Sequence, residues 1–249
     1  MLLIDKFLNE KLTMKLPRMI HFFGPDGAGK STQVDILLKK FKEENAKVKK
    51  CWIRSPHTLA FILWKLMVKI GFCRTVSNPL GAVYKFPAVD RNNGLRLFWS
   101  LIEFFSVLPL IIKTRISLFR GYTLIAERYI LDTVTTIAYF INDINFLKSQ
   151  TAKLFYYLLP KDTIFIFLDS DYETIFRRRA GLFNVKTINS RIHAYGLIPK
   201  GVVEPKEFID FQRKAYKILA RSFNAFVIDT TKYSITETSN AIWELIGWD

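Results

Sequence analysis

The chain has 249 residues, with 37 Lys+Arg against 22 Asp+Glu, a formal net charge of +15, half of its residues hydrophobic and 15% aromatic. That hydrophobicity excludes a disordered chain, and only two cysteines, Cys51 and Cys73, exclude a disulfide scaffold and point to a reducing, cytoplasmic setting. The length suits one sizeable α/β domain.

Residues 1–18 are apolar in part but interrupted by Asp5, Glu10 and several lysines. They lack the continuous apolar core and small-residue cleavage site of a secretory signal. They read as an N-terminal extension before a domain at 19–249, with Met1, Met14 and Met19 as candidate starts. Met19–Phe23 is a short apolar run ending at Gly24, the pattern of a buried strand. After a glycine-rich turn, Val34, Leu37, Leu38 and Phe41 share one helical face, with Lys39, Lys40, Lys42, Glu43 and Glu44 opposite. Val48–Ile53 reads as a second strand, stopped by Ser55-Pro56, and Leu59–Gly71 as a helix. Residues 74–94 carry prolines, glycines and asparagines and read mostly as loop. Leu95–Arg120 is helical in pattern, with a break or kink expected at Pro109.

Thr123–Ala126 reads as the third strand, and Asp132–Ile144 and Lys148–Leu158 as helices. Thr163–Leu168 is the clearest buried strand, followed by Ser170-Asp-Tyr-Glu173, a capping box. Residues 180–204 combine weak periodicity with glycines and basic groups, and are expected to form a mobile lid. Pro205–Phe223 is an amphipathic helix, Ala225–Ile228 a fifth strand, and Ser234-Ile-Thr-Glu237 a second capping box opening the last helix. Strands alternating with helices imply a parallel sheet covered on both faces, with a binding crevice at the carboxyl ends of its strands. The apolar stretches 59–72 and 97–112 are broken by Lys65 and Lys69, and by Glu103 and Pro109. Both are shorter than the ~20 residues of a membrane span. They read as helices buried in the protein or at a subunit interface, and membrane contact is not expected.

Gly24-Pro25-Asp26-Gly27-Ala28-Gly29-Lys30-Ser31 fits G-x-x-x-x-G-K-[ST] and lies between an apolar strand and an amphipathic helix. Its glycines let backbone N–H groups turn inward around phosphate oxygens, and the following helix points its positive end at the same anion. Lys30 would reach the β- and γ-phosphates and Ser31 would ligate Mg²⁺. A nucleoside triphosphate, ATP, is the expected ligand of residues 24–32. No Asn-Lys-x-Asp base-recognition motif accompanies the loop. The lysines of 39–50 read as a solvated face rather than a nucleic-acid surface.

At these residues the chain resembles the thymidylate kinase family. Phe23 to Thr32, with an acid at position 26, is similar to that family's phosphate loop. Glu127-Arg128-Tyr129 resembles its Asp-Arg-Tyr, and the run from Phe167-Leu-Asp169 to Arg177-Arg178-Arg179 resembles its passage from strand to lid. The resemblance implies a P-loop NTPase fold, with a five-stranded parallel sheet flanked by helices on both faces and an arginine-bearing lid. It implies phosphoryl transfer from ATP with Mg²⁺ to a nucleoside monophosphate, first of all dTMP. Asp26 would face the acceptor's sugar hydroxyl or a water on Mg²⁺, and Glu127 would join Ser31 in the metal shell. Arg128 would hold the acceptor phosphate and Arg54 would be its companion, with Asp132 and Tyr139 lining the pocket behind. Lys30, Glu127, Arg128 and Arg191 would be catalytic, and Arg177, Arg178 and Arg179 are further candidates for the lid's positive charge. The family also implies a homodimer.

The chain departs from the family at several points, among them Gly27 in place of an Arg after the loop acid, and Ala138-Tyr139-Phe140 about one helical turn later than the family's Ala-Tyr-Gln. Ser55 replaces the Glu of its Arg-Glu-Pro, Asp132 stands where it has Ser, and Arg91 and Arg96 lie further from Arg128 than its base-contacting arginine. A related kinase with another small-molecule acceptor, or a nucleotide-binding regulatory protein with little transfer, are the competing readings.

Overall fold

A computed structural model describes residues 16–77, 83–180 and 204–247. Five strands form one parallel sheet: β1 (Met19–Phe23), β2 (Val48–Trp52), β5 (Thr123–Arg128), β6 (Thr163–Asp169) and β7 (Phe226–Asp229). Their order is β2-β5-β1-β6-β7, so β1 is central, with Met19 in register with Leu124 on one side and Thr163 on the other. Period-two alternation splits the side chains between two cores. Ile20, Phe22, Ile125, Ile166 and Leu168 pack beneath α1 (Lys30–Glu43) and α8 (Ile235–Ile246). Met19, Phe23, Leu124, Ala126 and Phe167 face the other layer. That layer contains α2 (Thr58–Lys69), α3 (Asn93–Phe119), α4 (Ile130–Phe140), α5 (Gln150–Tyr156) and α7 (Lys206–Ser222). The helix α6 (Tyr172–Ala180) follows β6. Ahead of β1, the Arg18 carbonyl accepts from Leu124 N, and Thr123 Oγ1 donates to Pro17 O.

Residues 74–94 are not mostly loop. β3 (Cys73–Ser77) and β4 (Val83–Pro87) pair antiparallel, with Cys73 opposite Pro87. Tyr84 and Phe86 are buried while Val83 and Lys85 are exposed, a strand alternation hidden among the turn-forming residues. Of the break or kink expected at Pro109, the break does not occur: the helix is continuous through the proline over 27 residues. Val107 and Ile111 are buried on either side of the proline, and packing of those turns compensates for the missing N–H. Helix α4 ends at Phe140, earlier than Ile144, where a short 3₁₀ turn (Ile144–Lys148) takes over. The first expected capping box does not form, and a single cap bond one residue later takes its place. Asp171 Oδ1 accepts from Thr174 N at 2.6 Å, while Ser170 Oγ lies 3.4 Å from Thr231 Oγ1. The second box stands: Ser234 Oγ accepts from Glu237 N, and Glu237 Oε2 accepts from Ser234 N.

Candidate functional site

The loop between β1 and α1 adopts a conformation that few other residues would tolerate. Gly24 has φ +145°, and a Cβ there would collide with the Leu168 carbonyl oxygen of the neighbouring strand. Lys30, the first residue of α1, is buried and folds back over the loop. Its ammonium donates to the Gly24 and Pro25 carbonyls at 2.6 and 2.7 Å. Burial pushes its pKa down to about 8, with the positive charge of Arg179 adding to the effect and Asp132 and Glu127 opposing it. An anion in the loop would restore the ammonium's full charge.

Ser31 Oγ donates to Glu127 Oε1 at the end of β5, which brings together the two residues expected to bind metal. Lys50 Nζ holds the other Glu127 oxygen at 2.7 Å and reaches Asp35 at 2.9 Å. A hydroxyl and a carboxylate beside a phosphate loop suit Mg²⁺, which takes hard oxygen ligands and fills its remaining positions with water and phosphate. Among the described residues no group of three His, Cys, Asp or Glu could form an all-protein cage. A Mg²⁺ shared with a nucleotide needs none.

Asp26 is buried and accepts from two arginines: Arg128 at the end of β5, and Arg54 beyond β2 at 3.1 Å. Arg54 also pairs with buried Glu204 at 2.8 Å, and Arg128 with Asp132 at 3.2 Å. Asp132 in turn accepts from Tyr216 OH at 3.0 Å and lies 3.4 Å from His21 Nε2. Burial would raise the Asp132 carboxyl, but the His21 bond and the Arg128 and Lys30 charges outweigh it and hold it below the usual range. It is therefore a fixed anion behind Arg128.

Two cavities meet at Arg54 and Arg128. The larger, about 1610 Å³, is floored by Gly27 to Gln33 and bounded by Glu127, Arg178, Arg179 and Tyr233. The smaller, about 580 Å³, has aromatic walls from Trp64, Tyr84, Phe86, Phe140 and Phe208, with Thr136 and Gln212 among its polar groups.

The structure assembles Lys30, Ser31, Asp26, Glu127, Arg128 and Arg54 as one constellation. It does not bring the two α4 residues to the lining of either cavity. Asp132 lines neither cavity, and the Tyr139 ring lies against Phe208 (4.4 Å) and Phe86 (5.2 Å), with its hydroxyl donating to Glu207 at 2.8 Å. The helix row that faces the cavity runs through Thr136 and Phe140, one position on from Tyr139.

Of the candidate arginines, Arg178 donates to Thr230 at the cavity edge, and Arg179 lines the same cavity. Burial, with Arg128 and Arg54 nearby, holds Arg179 below the usual arginine range. Arg177 is exposed and donates to Thr174 on its own helix. Arg191 and residues 181–203 of the expected lid lie outside the described residues.

Sequence reasoning missed Glu204 and Gln212. Gln212 is 2% exposed and its Oε1 has no hydrogen-bond partner among the described residues. Neither belongs to a motif. The only signal for Gln212 is a polar residue on the apolar face of an amphipathic helix.

No protein-family model matches the chain. The "Probable thymidylate kinase" of Methanocaldococcus jannaschii is 28% identical over 229 residues, spanning 92% of this chain and 94% of that relative. The solved thymidylate kinase of Candida albicans matches with a TM-score of 0.52 at 19% identity, over 93% of this chain and 92% of that one. At that identity the second likeness speaks for the fold. Both run nearly end to end rather than through the phosphate loop alone, and that extent makes the chain thymidylate kinase-like.

Proposed function

We propose that the protein is a nucleoside monophosphate kinase that transfers the γ-phosphoryl group of ATP, with Mg²⁺, to an acceptor nucleotide, dTMP foremost. The observation that carries this reading is the meeting of two cavities at Arg54 and Arg128. One cavity is floored by a phosphate loop and the other is walled by rings that suit a flat base. The name of the archaeal relative supports dTMP as the acceptor. An acceptor phosphate oxygen attacks the γ-phosphorus, the bond to the β,γ-bridging oxygen breaks, and ADP leaves. The attacking phosphate is already ionised, so no protein base is required. The protein's work is positioning and charge. Loop amides and Lys30 hold the donor phosphates, Arg128 and Arg54 align the acceptor phosphate, and Arg178 and Arg179 face the donor side. Ser31 and Glu127 would hold Mg²⁺, which would neutralise charge on the donor phosphates.

A second acceptor class is favoured by one observation. Arg91 packs its guanidinium 4.4 Å from the Phe72 ring, Arg96 donates to the Asp90 carbonyl, and neither lines the aromatic cavity. The acceptor's ring would then be read by other groups, and a different base or a phosphorylated non-nucleotide would fit. A coupled assay with ATP–Mg²⁺ and a panel of nucleoside monophosphates, nucleosides and sugar phosphates decides. Turnover greatest on dTMP is expected, turnover greatest on another acceptor supports the second reading, and no transfer to any overturns both.

We further propose that two copies pair through α3. Phe98, Phe105, Ile112 and Phe119 recur every seven residues on α3 and are 46, 59, 61 and 91% exposed. A strict seven-residue apolar spacing is the seam that another helix fills. This helix is long and apolar enough by composition to cross a membrane, but a third of its most apolar window is buried in the domain. Cys51 and Cys73 are free thiols, which supports a cytoplasmic setting.

A further inference from the structure

Helix α3 carries one carboxyl group in its apolar interior face. Glu103 is 0% exposed, and it lies directly behind the segment that leads from β2 through Arg54 to α2. Its Oε1 accepts from Ser55 Oγ at 2.5 Å. Three residues on, Ser106 continues the attachment. Its hydroxyl accepts from Ala60 N at 2.9 Å and its carbonyl from Thr58 Oγ1 at 2.9 Å. Thr58 has φ +38°, in the left-handed region that a β-branched residue adopts only under constraint. The segment is thus held by α3 in a conformation it would not choose alone. What it presents at its other end is Arg54, aimed at Asp26 and Glu204 where the two cavities meet.

A buried carboxyl is costly, and a polar group in such a place is retained when its bonds fix something. Its partner Ser55 is the residue next to Arg54. Among the described residues the second Glu103 oxygen has no hydrogen-bond partner. Burial pushes the carboxyl up to about 8, so at neutral pH it is mostly protonated.

We propose that Glu103 is a positioning residue for the acceptor site: through Ser55 it locks the segment that holds Arg54 at the meeting point of the two cavities. This rests on the kinase reading for its kinetic consequence, not for its structural one. Arg54 is the long, rotatable group that must be pre-placed for an acceptor phosphate, and anchoring its backbone from behind reduces the freedom lost on binding.

The test uses the full chain with ATP–Mg²⁺ and dTMP. Glu103→Leu removes the bond to Ser55 and is expected to raise the dTMP KM at least tenfold, while the ATP KM changes less than twofold. Glu103→Gln keeps an acceptor oxygen toward Ser55, and is expected to recover the dTMP KM to within threefold of the wild type. A Glu103→Leu protein with an unchanged dTMP KM, or with ATP and dTMP affected alike, overturns the proposal. So does failure of the glutamine to rescue. Should Glu103→Leu fail to fold, Ser55→Ala deletes the same bond at lower cost. In its crystal structure Arg54 is expected to leave Asp26 and Glu204, and an Arg54 unmoved in that variant also overturns the proposal. That structural readout stands even if the wild-type protein transfers no phosphoryl group to dTMP, an outcome that removes dTMP as the acceptor and leaves the anchoring of Arg54 to be judged separately.

Discussion

Asp26, in the phosphate loop, and Arg128, at the end of β5, form an ion pair where the two cavities meet. The pair joins the cavity floored by the phosphate loop to the aromatic-walled one. Arg128 is also bonded to Asp132, so its guanidinium is pinned from two sides.

Replacing Arg128 separates binding from stability. Arg128→Lys keeps the charge and loses the fork. It should raise the acceptor KM about tenfold and lower kcat, with ATP KM changed less than about twofold. Arg128→Ala leaves Asp26 and Asp132 as buried carboxylates short of a partner and should cost about 3 kcal/mol in denaturant unfolding as well. A weakened ATP KM with an untouched acceptor KM would reverse the assignment of the two cavities.

Lys30 is expected to take up a proton when ATP binds. Its pKa near 8 in the free protein reflects burial, and triphosphate oxygens raise it. At pH 8.5, calorimetry in buffers of differing ionisation enthalpy should show proton uptake that disappears at pH 6 and in Lys30→Ala. That variant should fold normally and lose about a hundredfold or more in kcat.

Tyr139 belongs to the packing of α4 against α7 and does not line the aromatic-walled cavity. Tyr139→Phe removes the bond to Glu207 and should cost about 1 kcal/mol of stability with an unchanged acceptor KM. Phe140→Ala, which opens the aromatic wall, should raise that KM several-fold. A Tyr139→Phe effect confined to KM would place the hydroxyl back in the pocket.

Two buried groups give stability opposing slopes with pH. His57 is pushed down to about 4 by burial, so the unfolded chain binds its proton first and stability falls as pH drops from about 6.5 to 4. Glu103 is pushed up to about 8, chiefly by burial, so the folded protein keeps its proton while the unfolded chain has lost it. Its contribution declines as pH rises from about 4.5 to 8. The slopes oppose one another where they overlap and leave a net decline above about pH 6.5. Chemical unfolding at pH 6.5 and 8 should show that decline in the wild type and a smaller one in Glu103→Gln.

The α3 seam predicts a dimer in solution. Phe105→Glu places a charge at an exposed apolar position of the seam and should convert the dimer to monomer in light scattering, with the fold retained by circular dichroism. A wild-type protein that is monomeric at tens of micromolar would remove the pairing.

The five sheet strands, the phosphate loop and the Ser234–Glu237 cap were legible along the chain because each is local. A strand's apolar run, the glycines of an anion-binding turn and a four-residue cap declare themselves within a few positions. The β3–β4 ribbon was hidden because its alternation of Tyr84 and Phe86 sits among turn formers, and the continuous α3 because a proline's local cost was outweighed by distant packing. Arg54, Asp26 and Arg128 could be named from their motifs, but their convergence could not: Asp26 is 28 residues from Arg54, and Glu204 is 150 from it. Whether Tyr139 or Phe140 faces the cavity turns on about 100° of helix rotation, and that rotation is set by where α7 docks. Glu103 and Ser55 lie 48 residues apart and become partners only when α3 is laid behind β2. Motif chemistry is written in adjacent residues, whereas which side chains share a cavity depends on how the layers pack, and no stretch of sequence carries that alone.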